Sequence, residues 1–298
     1  MDQQQTPGER IRAPKTEIFG LDAYAPGEIA DKIEQSGVTK ANLPLLPMFM
    51  LGMVAGGSIG LGALYYTIVA SDDSLSFGVS HLLGGLAFCL GLTLVIVAGA
   101  ELFTGNNLVV MAWADGRVSL AALLRNWIVV YIANAVGAVG LAFLVFFSHH
   151  LDMNDGKIEI AALTIAKTKV ALPFVTAFFR GVLCNMLVCL AVWLAMAGRS
   201  VTDKIVALVL PISAFVAAGF EHSVANMYFI PLAMIVATFG SVPAGFDASS
   251  LTLEGAIENL IPVTLGNIVG GSVFVGLVYY AIYHKARGVV APGTTPAR

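Results

Sequence analysis

Charge is scarce in this sequence, which excludes an ordinary soluble domain. Of its 298 residues only 12% are charged and 57% are hydrophobic, whereas a soluble domain carries about 25% charged residues. No Asp, Glu, Lys, Arg or His occurs in residues 41–71, 126–148 or 259–283. Each run exceeds the roughly 20 apolar residues that a helix needs to cross a bilayer. The composition therefore predicts an integral membrane protein.

Cysteine is also scarce, and its pattern excludes a disulfide framework. Cys89, Cys184 and Cys189 lie in apolar runs without zinc-binding spacing, so we expect small buried residues. Neither His-Glu-x-x-His nor Gly-x-Ser-x-Gly occurs, so the common hydrolase motifs are missing. The first 40 residues lack the basic-then-apolar pattern of a cleaved signal peptide. We therefore expect no enzyme, no cofactor and no metal site.

Six long apolar segments predict six membrane-spanning helices. They are residues 43–70, 78–113, 126–147, 174–197, 205–239 and 259–283. Helices are expected because unpaired backbone is not tolerated against lipid, and barrel strands would give short alternating segments. The second and fifth segments are too long for one simple helix. The predicted fold class is therefore an all-α integral membrane protein with six transmembrane helices, of which the second and fifth are interrupted.

The spans and their flanks divide the chain into three predicted parts. Residues 1–40 form a polar segment, residues 41–284 the transmembrane domain with halves at about 41–148 and 173–284, and residues 285–298 a tail. Residues 26–36 predict a short amphipathic helix closed by Gly37, because Pro26 suits a first helical position and Ile29 and Ile33 lie one turn apart. We expect this helix to rest on the membrane surface.

Basic residues predict the orientation in the membrane. Of the 16 Lys and Arg residues, twelve flank one side of the predicted spans, and Arg180 lies inside the fourth. Only Lys157, Lys167 and Lys169 flank the other side. Cytoplasmic flanks carry the excess of Lys and Arg. Both termini are therefore expected in the cytoplasm, which agrees with an even number of spans.

Two matched patterns indicate an internal repeat. Ala-Gly-X-Glu with Asn five positions later occurs at Glu101 and Asn106 and again at Glu221 and Asn226. A second pattern relates Asn126, Asn134 and Gly137 to Asn259, Asn267 and Gly270. No comparable match relates the first and fourth spans. Halves of three spans each must be inverted, and such repeats place a binding site near the midplane where the interrupted helices meet.

The two expected breaks hold nearly all ionisable groups at membrane depth, where such groups usually face a cavity. His222 is the strongest candidate for function, because an imidazole changes charge near neutral pH and could donate a hydrogen bond or a proton to an anion. The alternative is a structural histidine. Glu101 and Glu221 are expected to bind exposed backbone amides. Freed backbone groups are expected to be satisfied in the same way by Asn106, Asn134, Asn226 and Asn267.

The segments around these breaks resemble the formate/nitrite transporter family. The matching stretches are residues 100–104, 219–227 and 261–271, and residues 187–193 and 198–200 are similar to the formate-channel branch. The similarity covers about residues 25–283. Two features depart from the family pattern: a longer amino-terminal extension, and Gly105-Asn106-Asn107 in place of a Ser/Thr-rich stretch in the family's mobile loop.

The resemblance implies an aquaporin-like fold assembled as a homopentamer, with one pore in each protomer. It implies that His222 and Thr104 lie centrally in the substrate pathway, where we also place Asn267. The implied constrictions are formed by Phe88, Leu92, Leu102, Phe103, Val188 and Phe215. The resemblance implies that Lys169, Glu221 and Asn185 form a polar set around the histidine, and we place Glu101 and Asn226 with them as supporting polar residues.

These observations favour a pH-responsive channel that carries formate across the cytoplasmic membrane of a prokaryote, with protons as a second partner. A nitrite or hydrosulfide channel of the same family is the nearest alternative. An intramembrane enzyme is disfavoured, because the adjacent Glu221 and His222 would point about 100° apart on a helix. A sensor or scaffold would not need polar groups at two matched breaks.

Overall fold

The structure is a computed structural model that describes residues 23–240 and 242–288. Within those residues every regular element is helical, so the all-α prediction is confirmed. The helices are α1 (Pro26–Ala41), α2 (Leu45–Ala70), α3 (Phe77–Ala98), α4 (Phe103–Asn106), α5 (Val110–Ala114), α6 (Leu120–Phe147), α7 (Lys157–Val170), α8 (Phe174–Ala197), α9 (Val201–Ala217), α10 (Ser223–Phe239), α11 (Leu253–Ile268) and α12 (Val278–Gly288). Short 3-10 helices occupy Asn107–Val109 and His150–Asp152, and a π-helix occupies Val269–Leu277.

Five helical stretches in the described part of the chain are long and apolar enough to cross a membrane. They are α2, α3, α6, α8 and the continuous stretch Leu253–Tyr283. Helix α10 is apolar as well but has only 17 residues. Large apolar side chains cover the outside of the bundle; Leu144 and Leu210, for example, are 69% and 77% exposed. Such an outer surface fits a hydrocarbon environment.

Helices α3 and α9 end in the same way. Gly99 follows α3 with φ of 75°, and Gly219 follows α9 with φ of 68°. The left-handed conformation suits glycine and ends a helix. The chain then runs through buried, non-helical residues until α4 begins at Phe103 and α10 begins at Ser223. These two short non-helical stretches bring backbone polar groups into the interior, and the site is built around them.

Close contacts between helix backbones hold the bundle together. Gly56 of α2 lies directly against the backbone of Asn134 on α6, and Gly137 of α6 lies against the backbone of Met53 on α2. A β-carbon at Gly56 would stand only 2.8 Å from the Asn134 α-carbon. Small residues let helices approach this closely in membrane proteins. Gly56 and Gly137 are therefore positions of close helix contact.

Helix α1 differs from its predicted form. It continues through Gly37 to Ala41 rather than ending at Gly37. The reason is tertiary packing, because a β-carbon at Gly37 would stand 3.0 Å from the Ala112 β-carbon. Ile29 and Ile33 are 4% and 3% exposed, so they are buried inside the protein. The expected surface-resting helix is therefore a packed part of the bundle.

Two helices begin earlier than the charge-free segments predict. Helix α6 begins at Leu120 rather than 126, because the Ser119 hydroxyl accepts a hydrogen bond from the Ala122 amide at 3.2 Å. Helix α11 begins at Leu253 rather than 259, with Thr252 as the equivalent cap. Serine and threonine caps of this kind satisfy the free amides of a first turn. All three cysteines are buried, as predicted.

Candidate functional site

His222 and Thr104 meet in the interior, one from each non-helical stretch. His222 Nε2 lies 2.9 Å from Thr104 Oγ1, and the two residues are 3% and 0% exposed. His222 is the N-cap of α10, where its Nδ1 accepts a hydrogen bond from the Ala225 amide at 3.1 Å. A neutral ring therefore carries its proton on Nε2 and donates it to Thr104 Oγ1.

A cavity adjoins each non-helical stretch. The smaller cavity, of about 70 Å³, is lined by His222 and Glu221 together with Lys169, Phe88 and Phe215. The larger cavity, of about 370 Å³, is lined by residues that include Lys40, Leu92, Leu102 and Lys204. Each cavity therefore combines apolar walls with lysine side chains. Such cavities can admit a small anion while excluding larger hydrated ions.

Glu101 is held by a network that reaches back to the end of α1. Lys40 Nζ lies 2.6 Å from Glu101 Oε1 and 3.0 Å from Asn106 Oδ1. Asn106 Nδ2 donates to Glu101 Oε2 at 2.7 Å and to Asn126 Oδ1 at 3.0 Å. Asn126 in turn donates to the Lys40 carbonyl at 3.1 Å. Both carboxylate oxygens are satisfied, as a buried charge requires.

Glu221 is held by an equivalent network in the other half of the chain, except that Asn226 Oδ1 has no hydrogen-bond partner among the described residues. Lys169 Nζ lies 2.9 Å from Glu221 Oε1. Asn226 Nδ2 donates to Glu221 Oε2 and to Asn259 Oδ1, both at 2.7 Å. Asn259 donates to the Lys169 carbonyl at 2.8 Å. Lys40, Glu101, Asn106 and Asn126 therefore correspond one to one with Lys169, Glu221, Asn226 and Asn259.

Two further asparagines bind the backbone of the non-helical stretches. Asn134 accepts from the Phe103 amide at 2.9 Å and donates to the Gly52 and Glu101 carbonyls at 2.7 and 2.9 Å. In the other half, Asn267 makes the matching bonds to the Ser223 amide and to the Gly181 and Glu221 carbonyls, at 2.9, 2.8 and 3.0 Å. The predicted role of these two asparagines, binding freed backbone groups, agrees with these contacts.

The predicted partners of the two glutamates are wrong. Their carboxylates bind lysine and asparagine side chains rather than backbone amides. The physical reason is that Asn134 and Asn267 already occupy the amides at the start of the following helices. The side chains of Asn106 and Asn226 likewise bind carboxylates. The backbone carbonyl of Asn106 accepts a hydrogen bond from the Trp127 indole N–H at 2.9 Å. The buried charges are thus compensated by paired cations.

The correspondence between the first and fourth spans was missed from the sequence. Leu51 and Arg180 accept from the Glu101 and Glu221 amides at 3.2 and 3.3 Å, each through its backbone carbonyl. These carbonyls lie next to the matched carbonyls of Gly52 and Gly181. A backbone acceptor leaves no signal in its own side chain. The signal that the sequence offers is Gly52 and Gly181, which follow Lys40 and Lys169 by twelve positions each.

The predicted constriction residues are all buried but lie in different surroundings. Phe88 and Phe215 form an edge-to-face pair with ring centroids 5.6 Å apart, and Phe215 also stacks on the His222 ring at 5.9 Å. Leu92 and Leu102 line the larger cavity. Phe103 packs against Tyr131, with ring centroids 4.9 Å apart. Val188, on α8, is 1% exposed.

Comparison with known proteins gives consistent relatives. The family described as Formate/nitrite transporter matches residues 27–281. The formate channel FocA of Escherichia coli strain K12 is 41% identical over 274 residues, covering 88% of this chain and 95% of that protein. A probable formate transporter of Methanothermobacter thermautotrophicus is 38% identical over 285 residues, covering 90% and 100%. A solved pentameric formate channel with formate bound is 42% identical, with a TM-score of 0.76, covering 80% of this chain and 98% of that one.

These relatives are channels and transporters rather than enzymes. Together with the apolar helices, they identify a membrane protein. The family match spans both halves of the repeat, including His222, Thr104 and the two glutamate networks. The chain therefore belongs to the formate/nitrite transporter family.

Proposed function

We propose that this protein carries formate across the cytoplasmic membrane of a prokaryote through a pore in each protomer. The observation that carries the proposal is the buried His222–Thr104 hydrogen bond, in which His222 lines one lysine-containing cavity and the chain neighbours of Thr104 line the other. Names of relatives that describe formate channels support the choice of substrate. A pentameric neighbour supports assembly as a homopentamer. The domain of residues 41–284 would form this pore, with the flanking segments in the cytoplasm.

Six crossings of the membrane follow if two pairs of short helices each act as one span. Helices α9 and α10 would form the fifth span, with the non-helical stretch at 218–222 at its middle. Helix α3 and residues 103–114 would form the second. The excess of Lys and Arg on one side then places both termini in the cytoplasm. An aquaporin-like arrangement of two inverted halves accounts for the matched networks.

The pore would lower the cost of moving an anion through the bilayer. That cost is of order 20 kcal/mol for a small ion in the idealised case. Lys40 and Lys169 are each paired with a glutamate, so the offset would come chiefly from an N–H or O–H group at the centre that replaces lost hydration. Thr104 Oγ1 and His222 Nε2 are the groups positioned to do this. Asn267 would act indirectly, by holding the Ser223 amide and the Glu221 carbonyl.

A histidine at the centre also offers a route for proton coupling. A ring that has first taken up a second proton from the solvent side could pass one proton to formate, so that formic acid crosses as a neutral molecule and the neutral ring is restored. Flux would then depend on pH. The apolar residues around the pair, namely Phe88, Leu92, Leu102, Phe103, Val188 and Phe215, would form the constrictions that exclude hydrated ions. Glu101, Glu221, Lys169, Asn185 and Asn226 would support the pathway.

Uptake into proteoliposomes tests the proposal. Formate, nitrite, hydrosulfide and chloride flux are measured from acidic to neutral pH, with His222→Ala as the test variant and the exposed His149→Ala as its control. We expect formate to exceed chloride at every pH, and the pH dependence to be lost in His222→Ala only. Nitrite or hydrosulfide flux well above that of formate would change the assigned substrate. Chloride flux equal to formate flux would contradict a selective pore.

A further inference from the structure

The two halves differ in the helix that follows each non-helical stretch, behind the His222–Thr104 pair. On the His222 side, Ser223 begins a regular helix of 17 residues. On the Thr104 side, the chain forms the four-residue helix α4 and a three-residue 3-10 helix before α5 begins at Val110. A 3-10 helix leaves backbone carbonyls without the usual α-helical partner. We call residues 103–109 the threonine segment.

Side chains from α8 and from the π-helix hold the carbonyls of the threonine segment. Asn185 Nδ2 lies 3.2 Å from the Thr104 carbonyl oxygen, and Cys189 Sγ donates to the same oxygen at 3.4 Å. Ser272 Oγ donates to the Asn107 carbonyl at 3.2 Å. These donors replace the bonds that a continuous helix would supply. The threonine segment is therefore fixed by tertiary contacts rather than by its own helix.

Asn107 adds a side-chain bond to the same cluster. Its Oδ1 accepts from Asn185 Nδ2 at 2.8 Å, and the same Nδ2 lies 2.7 Å from the Asn267 carbonyl. Both asparagines are fully buried. The Asn107 Nδ2 group has no hydrogen-bond partner among the described residues. A buried amide nitrogen without a partner costs free energy. That cost indicates a use for the Asn107 oxygen, which accepts a hydrogen bond that an apolar side chain could not accept.

The opposite half of the chain serves as an internal comparison. With the register set by the matched networks, the counterparts of Asn107, Asn185 and Thr104 are Met227, Gly56 and Val224. The counterparts of Cys189 and Ser272 are Gly60 and Val139. All five counterparts are apolar or glycine. The fold therefore stands without a polar cluster where a regular helix follows the non-helical stretch, and on the Thr104 side the cluster holds a segment that lacks such a helix.

The π-helix is shaped to receive the cluster. A β-carbon at Gly271 would stand 2.8 Å from Cys189 Sγ and 2.9 Å from the Asn107 β-carbon, and it would also clash with the Asn185 amide. A β-carbon at Gly276 would stand 2.6 Å from the Val110 side chain. Only a bare backbone fits beside the threonine segment at these positions. π-helices are rare and are frequently found at functional sites.

We propose that Asn107 is a positioning residue that fixes the Thr104 hydroxyl opposite His222. It acts by accepting a hydrogen bond from the Asn185 amide, whose two N–H groups are shared with the Asn267 and Thr104 carbonyls, while Ser272 donates to the Asn107 carbonyl. The substrate anion then meets an O–H group at a fixed distance from the imidazole. This inference rests on the proposed formate pathway and adds a determinant of anion selectivity to it.

The test compares three variants by transport and by backbone hydrogen exchange. Asn107→Leu removes the acceptor and keeps the branching and number of side-chain heavy atoms, whereas Ser272→Ala removes the bond to the Asn107 carbonyl and leaves the Asn107 side chain in place. Met227→Leu is the matched control, because it changes the counterpart position in the other half by a volume-conserving substitution. Formate and chloride flux are measured in proteoliposomes. Exchange is followed in peptides that cover residues 103–109 and 223–239.

We expect Asn107→Leu to lower formate flux roughly threefold to tenfold, as the loss of one buried hydrogen bond would. It should also lower the formate-to-chloride ratio and speed exchange in residues 103–109 only. Met227→Leu should keep most of the formate flux and the slow exchange. Ser272→Ala should reproduce the faster exchange if Asn107→Leu does not fold.

Two results would overturn the inference. One is unchanged exchange at 103–109 in both Asn107→Leu and Ser272→Ala. The other is an equal loss of formate flux in Asn107→Leu and Met227→Leu, which would indicate a general packing effect. If wild-type protein carries no formate but Asn107→Leu still speeds exchange at 103–109, the proposed function fails while the positioning contact stands.

Discussion

Lys40 and Lys169 occupy matching positions in the two halves and bind Glu101 and Glu221 at 2.6 and 2.9 Å. Each lysine also receives, at its backbone carbonyl, a bond from the asparagine that completes its network. Helix α1 is therefore the counterpart of α7, and the matched unit in each half includes a short helix ahead of the apolar segments. The repeat is larger than the apolar segments alone indicate.

Removing one lysine should destabilise the protein more than removing the whole pair. The lysine side chains are 26% and 15% exposed and both glutamates 5%, so Lys169→Met leaves a buried carboxylate without its cation. We expect a loss of about 3 kcal/mol for Lys169→Met and less for the more exposed Lys40→Met. Lys169→Met combined with Glu221→Gln should recover at least half.

Chemical unfolding in detergent measures these differences. Lys167→Met is the control, because Lys167 pairs with Asp247 at an exposed position, 3.5 Å away, and we expect it to change stability by less than about 1 kcal/mol. If the double variant proved less stable than Lys169→Met alone, the glutamate would be needed for something other than its ion pair.

Adjacent glycines on α2 should respond very differently to the same substitution. A β-carbon at Gly56 would clash with the Asn134 backbone, whereas at Gly57 the nearest atom is the Gly137 carbonyl oxygen, at 3.8 Å. We expect Gly56→Ala to cost about 1–3 kcal/mol through overpacking, and Gly57→Ala to be neutral or slightly stabilising. Thermal unfolding in detergent compares the two, and equal unfolding temperatures would contradict the close contact of α2 with α6.

The repeat shows how far the sequence could lead. Glu101, Asn106, Glu221 and Asn226 could be matched from spacing alone, because their side chains carry the contacts. The matched roles of Leu51 and Arg180 could not, because both residues act through backbone carbonyls and their side chains are unrelated. Sequence patterns report side-chain chemistry, so a repeat kept by backbone geometry alone stays hidden.

Helix ends show a second limit. The charge-free runs fixed the centres of the spans, but α6 and α11 begin six residues earlier, at caps formed by Ser119 and Thr252. Charge marks where a helix leaves an apolar environment, whereas hydrogen bonding marks where it begins. Helix α1 likewise continues through Gly37 for a reason that the local sequence does not carry. Packing against Ala112, rather than the low helix propensity of glycine, sets the course of the helix there.

The loop between α10 and α11 should loosen in acid. The hydroxyl and amide of Ser249, and then the charge of Lys167, hold the pKa of Asp247 below its ordinary value of 3.8. A lowered pKa means that the charged form is favoured in the folded loop, so its contacts stabilise the loop fully above that ordinary value. The stabilisation is lost as the pH falls through the lower pKa.

Solvent exchange of the loop amides at residues 242–252 measures this dependence. We expect exchange, corrected for its intrinsic pH dependence, to rise below the ordinary aspartate pKa in the wild type. In Asp247→Asn the corrected exchange should be fast at every pH and show no such step. A step of the same size in both proteins would assign the titration to another group.

The Thr104 hydroxyl should matter more than its methyl group. Thr104→Val keeps the shape of the side chain but leaves His222 Nε2 without the acceptor that now lies 2.9 Å away, whereas Thr104→Ser keeps the hydroxyl. Because an unsatisfied buried donor costs about 1–3 kcal/mol, we expect Thr104→Val to reduce formate flux roughly tenfold and Thr104→Ser to retain most of it. Flux in proteoliposomes, normalised to the amount of inserted protein, measures both. If the valine variant kept wild-type flux and the serine variant lost it, shape rather than hydrogen bonding would govern the passage at Thr104.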